Sequence, residues 1–111
     1  MRFEPVDPPR RFRAGASAEV EMSDTGRLAL EPDEQVTLTT PAGGEYDLAR
    51  KSWGFYATPS LNQRLPRFGL RACLATNPQG HRFVLLVEAG HEDAFEAYRL
   101  EQGLAVEWID T

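Results

Sequence analysis

The chain has 111 residues, a length that predicts one globular domain. Its hydrophobic content of 41% and charged content of 26% are ordinary for a soluble globular protein. Seventeen acidic residues against twelve basic ones give a net charge of −5, which argues against a general attraction to nucleic acid or to an anionic membrane.

The N-terminal half is predicted to be a tail followed by strands. Residues 1–16 contain three prolines and four arginines with little apolar material, which predicts a flexible tail, so residues 17–111 would form a single α+β domain. Alternation of apolar and polar residues then predicts four short antiparallel strands in a sheet that exposes one face to solvent. These strands are Ala18–Met22, Arg27–Glu31, Gln35–Thr39 and Tyr46–Leu48, separated by turn sequences at 24–26, 32–33 and 41–44.

A short helix is expected to begin at Thr58-Pro59, because Thr is an accepted N-cap and Pro fits the first helical position. Leu61, Leu65 and Phe68 have the spacing of one buried helix face. The remaining pattern predicts two strands, a second helix and a last strand. These are Leu70–Thr76, His81–Glu88, the helix His91–Gln102 and the strand Leu104–Ile109.

This order of elements predicts the fold class. From about residue 46 to residue 110 the order is β-α-β-β-α-β, which is the ferredoxin-like arrangement, preceded by an N-terminal antiparallel β extension. The run Phe83-Val-Leu-Leu-Val87 is apolar on both faces, which predicts a central strand of that sheet. The alternative is a small curled antiparallel sheet over residues 17–57 with a β-β-α-β appendage.

The most informative feature is a window without acids. Residues 48–87 contain no Asp or Glu and carry a charge of +6, whereas the rest of the chain carries −11. Within this window, residues 51–64 combine basic, polar and aromatic side chains. Free N–H groups at the expected helix start would attract a phosphate or carboxylate, and aromatic rings would stack on a base or sugar. The predicted ligand contacts are Lys51, Trp53, Tyr56, Thr58, Ser60, Asn62 and Arg64.

A structural explanation of the same residues stays open. In it, Thr58 only starts a helix, the aromatic side chains fill the core, and Arg64 and Arg67 complement the helix dipole.

Catalytic and metal chemistry have little support. His81 and His91 lie in no recognisable motif, and Cys73 is expected to be a buried, inert thiol in mid-strand. A single cysteine excludes an internal disulfide and a structural zinc site built on cysteines. RNA binding by a ferredoxin-like sheet needs aromatic residues on its middle strands, where only Phe83 is present. No catalytic residue, metal ligand or cofactor is therefore predicted.

Protein association is a further function class. An open sheet edge, at the strand containing Val20 or at the C-terminal strand with Trp108, would pair with a partner strand or with a second copy. No apolar run approaches the roughly 20 residues needed to span a bilayer, and no signal-peptide core is evident, so a cytoplasmic protein is expected.

The sequence thus predicts a small non-catalytic domain that binds an anionic small molecule of the phosphorylated-metabolite or nucleotide-sugar type. The alternative is a protein-interaction adaptor or accessory subunit, and the third function is an enzyme of unknown reaction.

Overall fold

The computed structural model describes residues 1–111, which form eight strands and two helices. In chain order these are β1 (Arg2–Ala14), β2 (Val20–Ala29), β3 (Gln35–Thr39), β4 (Glu45–Lys51), β5 (Gly54–Ala57), α1 (Arg64–Arg67), β6 (Leu70–Thr76), β7 (Arg82–Glu88), α2 (Glu92–Gln102) and β8 (Ala105–Trp108). The strands make three small antiparallel sheets with the orders β1-β2, β3-β4-β5 and β7-β6-β8. The predicted α+β class is confirmed.

Strands β1 and β2 form a long two-stranded ribbon where the sequence predicted a flexible tail and two short strands. Their pairing shifts register between Pro5 and Arg10, so β1 bulges in its proline-rich part. A bulge interrupts the hydrogen bonds between the strands, so prolines, which have no N–H to donate, are tolerated there. The bulge lies opposite Thr25. For this reason the turn sequence at 24–26 continues β2 and does not reverse the chain.

The second sheet contains two strands that the sequence predicted, Gln35–Thr39 and Tyr46–Leu48. Strand β4 runs on to Lys51, and a two-residue turn returns the chain as β5, with Lys51 opposite Gly54. Gly54 has a φ of 147°, a conformation that side chains rarely adopt, which explains a glycine at this hairpin end.

The ferredoxin-like topology is not confirmed. It would place β4 in one sheet with β6, β7 and β8, but β4 lies between β3 and β5, and β8 pairs with β6. A crossover between parallel strands of one sheet needs a dozen or more residues, usually with a full helix, whereas α1 has a single turn of four residues. Residues 70–108 instead form the β-β-α-β unit of the alternative fold. The single curled sheet that this alternative predicted over residues 17–57 is wrong, because those residues are divided between the β1-β2 ribbon and the β3-β4-β5 sheet.

Helix α1 begins at Arg64, so the prediction of a helix from Thr58 is wrong. The side-chain hydroxyl of Ser60 accepts a hydrogen bond from the Arg64 N–H at 3.0 Å, and the Ser60 carbonyl accepts one from the Leu65 N–H at 3.0 Å. Ser60 therefore organises a turn before the helix. Pro66 supplies no N–H for a helix that starts earlier, and Gly69, with a left-handed φ of 78°, ends the helix after one turn.

Helix α2 confirms the predicted helix and ends as expected at Gly103, whose φ of 68° is left-handed. Its Phe95 ring packs edge-on against Trp108 of β8, with 5.9 Å between ring centroids. This contact holds α2 on one face of the β7-β6-β8 sheet. Neither helix is long and apolar enough to cross a membrane.

Strand β7 lies at the edge of its sheet, so the prediction of a central position is wrong. The central strand is β6, whose Ala72, Cys73 and Ala75 are almost completely buried. Side chains this small allow α1 and α2 to approach the sheet from its two faces. The short, less apolar β8 pairs with the other edge of β6, so the outer edge of β7 has no strand beside it.

The core of the molecule is small, since only 12 of the 111 residues are buried. Leu65, Leu70 and Ala72 form its centre, and Tyr46 and Ile109 pack against them. This cluster joins α1 to the two three-stranded sheets. It therefore fixes the position of residues 51–64 relative to β4.

Candidate functional site

The predicted ligand contacts lie on a hairpin and on the loop that follows it. Lys51 ends β4, Trp53 is in the β4–β5 turn, and Tyr56 is on β5. Thr58, Ser60 and Asn62 belong to the connection between β5 and α1, and Arg64 opens α1. We call the segment from Lys51 to Ala57 the aromatic hairpin.

The three rings of the aromatic hairpin are in solvent. Trp53 is 71% exposed, Phe55 is 64% exposed and Tyr56 is 50% exposed. Strand β5 is an edge strand, and Phe55 and Tyr56 project from its opposite faces because successive side chains of a strand alternate. The structural explanation in which these aromatic side chains fill the core is therefore wrong. Large exposed rings commonly mark contact surfaces.

Lys51 is already paired with an acid from outside the aromatic hairpin. Its Nζ lies 2.6 Å from Oδ1 of Asp33, in the turn between β2 and β3. Both side chains are exposed, and an exposed ion pair contributes about 0–1 kcal/mol. A ligand could displace Asp33 from Lys51 at small cost in free energy. The pair therefore reduces the attraction of Lys51 for an anion but does not prevent binding.

Arg64 is held more firmly. Its Nη2 lies 3.3 Å from Oδ2 of Asp47, a buried carboxylate on β4 that also accepts a hydrogen bond of 2.6 Å from the Thr37 hydroxyl. The guanidinium carbon of Arg64 lies 5.4 Å from the Phe68 ring centroid, within the range of a cation–π contact. The side chain therefore ties α1 to β4.

Lys51 and Arg64 do not converge on one anion. Arg64 reaches β4 at Asp47, and Lys51 lies four residues further along the same strand, a separation of roughly 13 Å between Cα atoms. The single turn of α1 also offers no helix N-terminus at Thr58, and the Arg64 N–H is occupied by Ser60. The structure thus places the three rings at the hairpin end of the segment and Arg64 at its other end.

Thr58 has a separate feature. Its backbone N–H donates to the Asp47 carbonyl at 3.1 Å, whereas its buried Oγ1 has no hydrogen-bond partner. It is the only buried side-chain polar atom without one. A buried hydroxyl that makes no hydrogen bond costs stability, so this position can accept a further donor or acceptor.

Half of the six cations in the acid-free window are paired with acids from elsewhere in the chain. Besides Lys51 and Arg64, Arg71 pairs with Asp110 at 2.7 Å, and Arg50 donates to the Leu30 carbonyl at 2.8 Å. Only Arg67 and Arg82 of the window lack a carboxylate or carbonyl partner. The excess of positive charge in the sequence therefore does not produce a basic patch of six free side chains.

Asp33 and Asp47 are the residues that sequence reasoning missed. Both lie outside the acid-free window, and neither has a spacing that marks it as a partner of Lys51 or Arg64. The one available signal was the position of Asp47 in a strand beside apolar residues, where a carboxylate needs a partner.

The candidate catalytic side chains are separated. His81 and His91 lie beyond opposite ends of the β6–β7 hairpin, and Cys73 is buried in its middle, across from Leu85. Desolvation raises the pKa of the Cys73 thiol, which opposes formation of the nucleophilic thiolate. No three His, Cys, Asp or Glu side chains are grouped as metal ligands.

The fold and the hairpin define a small α+β domain with an exposed aromatic edge. Comparison of the chain with protein-family models, with curated proteins and with solved structures finds no match.

Proposed function

We propose that this chain is a non-catalytic protein-binding domain, an adaptor or accessory subunit, which contacts its partner through the aromatic hairpin. The observation that carries the proposal is the exposure of Trp53, Phe55 and Tyr56 on a short edge strand. Tyr, Trp and Phe are enriched in protein interfaces, and Trp and Tyr dominate the residues whose removal weakens binding most.

The charges beside the rings favour a protein over a phosphate-bearing ligand. Lys51 has a carboxylate partner in Asp33, so the hairpin presents a cation and an anion together beside its apolar rings. Apolar contact surrounded by polar and charged groups is the usual composition of a protein interface. The strand edge of β5 adds backbone hydrogen-bonding groups that an extended partner segment can use.

The test is affinity capture with the whole chain as bait, followed by mass spectrometry of the captured proteins. The variant Trp53→Ala plus Phe55→Ala should reduce recovery of a specific partner at least tenfold, the loss expected when interface aromatics worth 1.4 kcal/mol or more are removed. Leu100→Ala is the matched control, because Leu100 is 66% exposed on α2, away from the hairpin. Equal recovery by the wild type and the double variant would contradict the proposal.

Binding of an anionic small molecule is the second candidate, favoured by one specific observation. The Trp53 and Tyr56 rings are exposed near Lys51, and the exposed Lys51–Asp33 pair is cheap to break. Together with the unpartnered Thr58 hydroxyl, these groups could hold a sugar or base with its phosphate. Thermal stability in the presence of phosphate-bearing compounds separates this candidate from protein binding.

A further inference from the structure

Strand β7 has the composition of an interior strand but lies at a sheet edge. Its run from Phe83 to Val87 is entirely apolar, and Val84 is 66% exposed. Native edge strands are usually protected by a proline, a bulge or an inward-pointing charge. Between Arg82 and Glu88 there is none of these, and β7 pairs with β6 over seven residues without a register shift.

An open apolar groove runs beside this edge. It has a volume of about 560 Å³ and lies between β7 and one face of α2, with Ala94, Phe95 and Tyr98 on the helix side. Seven of its nine lining residues are hydrophobic, so the groove continues the apolar surface of the strand. A segment that pairs with β7 would therefore also find an apolar contact beside it.

The backbone of β7 shows which residues are available for pairing. The Ala89 N–H donates to the Gly69 carbonyl at 2.8 Å, and the Asn77 N–H donates to the His81 carbonyl at 2.9 Å. Hydrogen-bonded positions alternate along an antiparallel pair, so the odd-numbered residues of β7 face β6. The N–H and C=O groups of Arg82, Val84 and Leu86 consequently point away from the sheet, as does the Glu88 N–H, whereas the Glu88 carbonyl already accepts a hydrogen bond from the His91 N–H at 3.0 Å.

We infer that β7 pairs with β7 of a second copy of this chain, antiparallel and with the two-fold axis at Leu85. In this register Val84 lies opposite Leu86 of the second copy, and the outward groups of both residues meet. The result is a continuous six-stranded sheet with one α2 from each copy on the same face. Such self-pairing is an isologous interface, the commonest kind in homodimers.

The outward backbone groups of β7 allow several registers of the antiparallel pair, and charge complementarity favours the one with its axis at Leu85. An axis at Leu85 places Arg82 opposite Glu88 of the second copy at both ends of the pair. An axis at Val84 would leave Arg82 opposite Leu86, and an axis at Leu86 would place Glu88 opposite Val84. Arg82 has no ion-pair partner within the chain. The Glu88 carboxylate accepts hydrogen bonds from the Thr40 hydroxyl and the Gly44 N–H, but its only cationic neighbour is the imidazole of His91 at 3.7 Å.

The solvent-accessible area of the chain is larger than that of a typical monomer of its mass, as expected if a second copy covers part of the surface. The molecule exposes 7911 Å², whereas a folded monomer of 12.4 kDa exposes about 6,100 Å². Its radius of gyration is 15.5 Å, against about 13 Å for a compact domain of this length. The β1-β2 ribbon, which packs little against the other elements, contributes to the excess of about 1,800 Å². The excess is large enough to include the roughly 800 Å² that each partner buries in a stable interface.

Mass in solution is the first test. Sedimentation equilibrium of the whole chain across a concentration series should give about twice the chain mass of 12.4 kDa. Val84→Lys should return the mass to that of the monomer, because it places a charge at the centre of the pairing. Leu100→Lys, an equally exposed position on α2, should leave the dimer intact. A wild type that stays monomeric, or a dimer that survives Val84→Lys, would overturn the inference.

Disulfide crosslinking tests the register. In a background with Cys73→Ala, which removes the thiol across from Leu85, the variant Leu85→Cys should crosslink to itself on mild oxidation. Residues facing each other across the axis in a non-hydrogen-bonded pair have Cα atoms about 4.5 Å apart, within disulfide reach. Phe83→Cys in the same background should not crosslink, because its counterpart lies four residues away, roughly 13 Å. Crosslinking of Phe83→Cys without that of Leu85→Cys would refute this register.

Discussion

Arg71 on β6 donates two hydrogen bonds to Asp110, at 2.7 Å from Nε and 3.3 Å from Nη2. The same guanidinium lies over the Trp108 ring, with 4.0 Å from its central carbon to the ring centroid. These contacts fasten the C-terminal segment to the centre of the β7-β6-β8 sheet. Arg71 belongs to the acid-free window, and its role in the molecule is structural.

The Arg71–Asp110 pair makes stability depend on acid pH. The hydrogen bond from Arg71 lowers the pKa of Asp110, so the unfolded chain binds the Asp110 proton more readily than the folded chain does. The stabilisation is therefore present above the ordinary Asp pKa of about 3.9 and is lost as the pH falls toward the lowered folded value. Urea midpoints measured from pH 6 to pH 2.5 should fall less steeply in Asp110→Asn than in the wild type.

Asp93→Asn is the control for this pH series, because Asp93 is exposed on α2 and makes no ion pair. Its urea midpoints should follow the wild-type slope. Identical slopes in the wild type and Asp110→Asn would remove Asp110 as a source of acid sensitivity.

The small core makes one leucine unusually important. Leu65 is completely buried and joins α1 to Leu70 and Ala72. Leu65→Ala should lower the free energy of unfolding by about 2–5 kcal/mol, the cost of an unfilled cavity in a core. Leu100→Ala, at an exposed position, should change it by about 0.5 kcal/mol or less. Urea unfolding followed by circular dichroism measures both, and similar losses in the two variants would contradict this assignment of the core.

Local patterns made several elements predictable. Strict alternation fixed the positions of β3 and the first part of β4, and the acidic first turn and Gly103 fixed α2 to within one residue. Each of these signals lies within one segment, so it does not depend on contacts with the rest of the chain. The β-β-α-β unit was likewise present in the order of elements, although in the less favoured of the two folds.

Pairing across distant segments was not predictable from those signals. The Asp24-Thr-Gly26 sequence is a good turn, but its place opposite the bulge between Pro5 and Arg10 keeps it in a strand. The apolar run of β7 fits a central strand, and its position at the edge depends on where β8 pairs. In the candidate site, Asp47 neutralises Arg64 from another sheet. Each of these outcomes is decided by a contact that sequence spacing does not encode.

The two ion pairs of the candidate site should differ in their effect on stability. Lys51→Ala breaks an exposed pair and should cost about 0–1 kcal/mol. Arg64→Ala leaves the largely covered Asp47 carboxylate with only the Thr37 hydroxyl, which should cost about 1–3 kcal/mol. Urea unfolding at pH 7 measures both, and restoration of the loss by Arg64→Ala plus Asp47→Asn would show that the uncompensated carboxylate is its cause. A larger cost for Lys51→Ala would contradict this reading of the geometry.

Thermal unfolding with a panel of phosphate-bearing compounds tests the small-molecule candidate. A compound that binds only the folded chain raises the melting temperature, with a stabilisation of about 2.7 kcal/mol at one hundred times its dissociation constant. Lys51→Ala should abolish the rise measured against the variant's own baseline. Arg27→Ala removes the same charge from an exposed arginine without an ion pair, so it should retain the rise. No rise in the wild type, or equal loss in both variants, would contradict the small-molecule candidate and favour a protein partner for the aromatic hairpin.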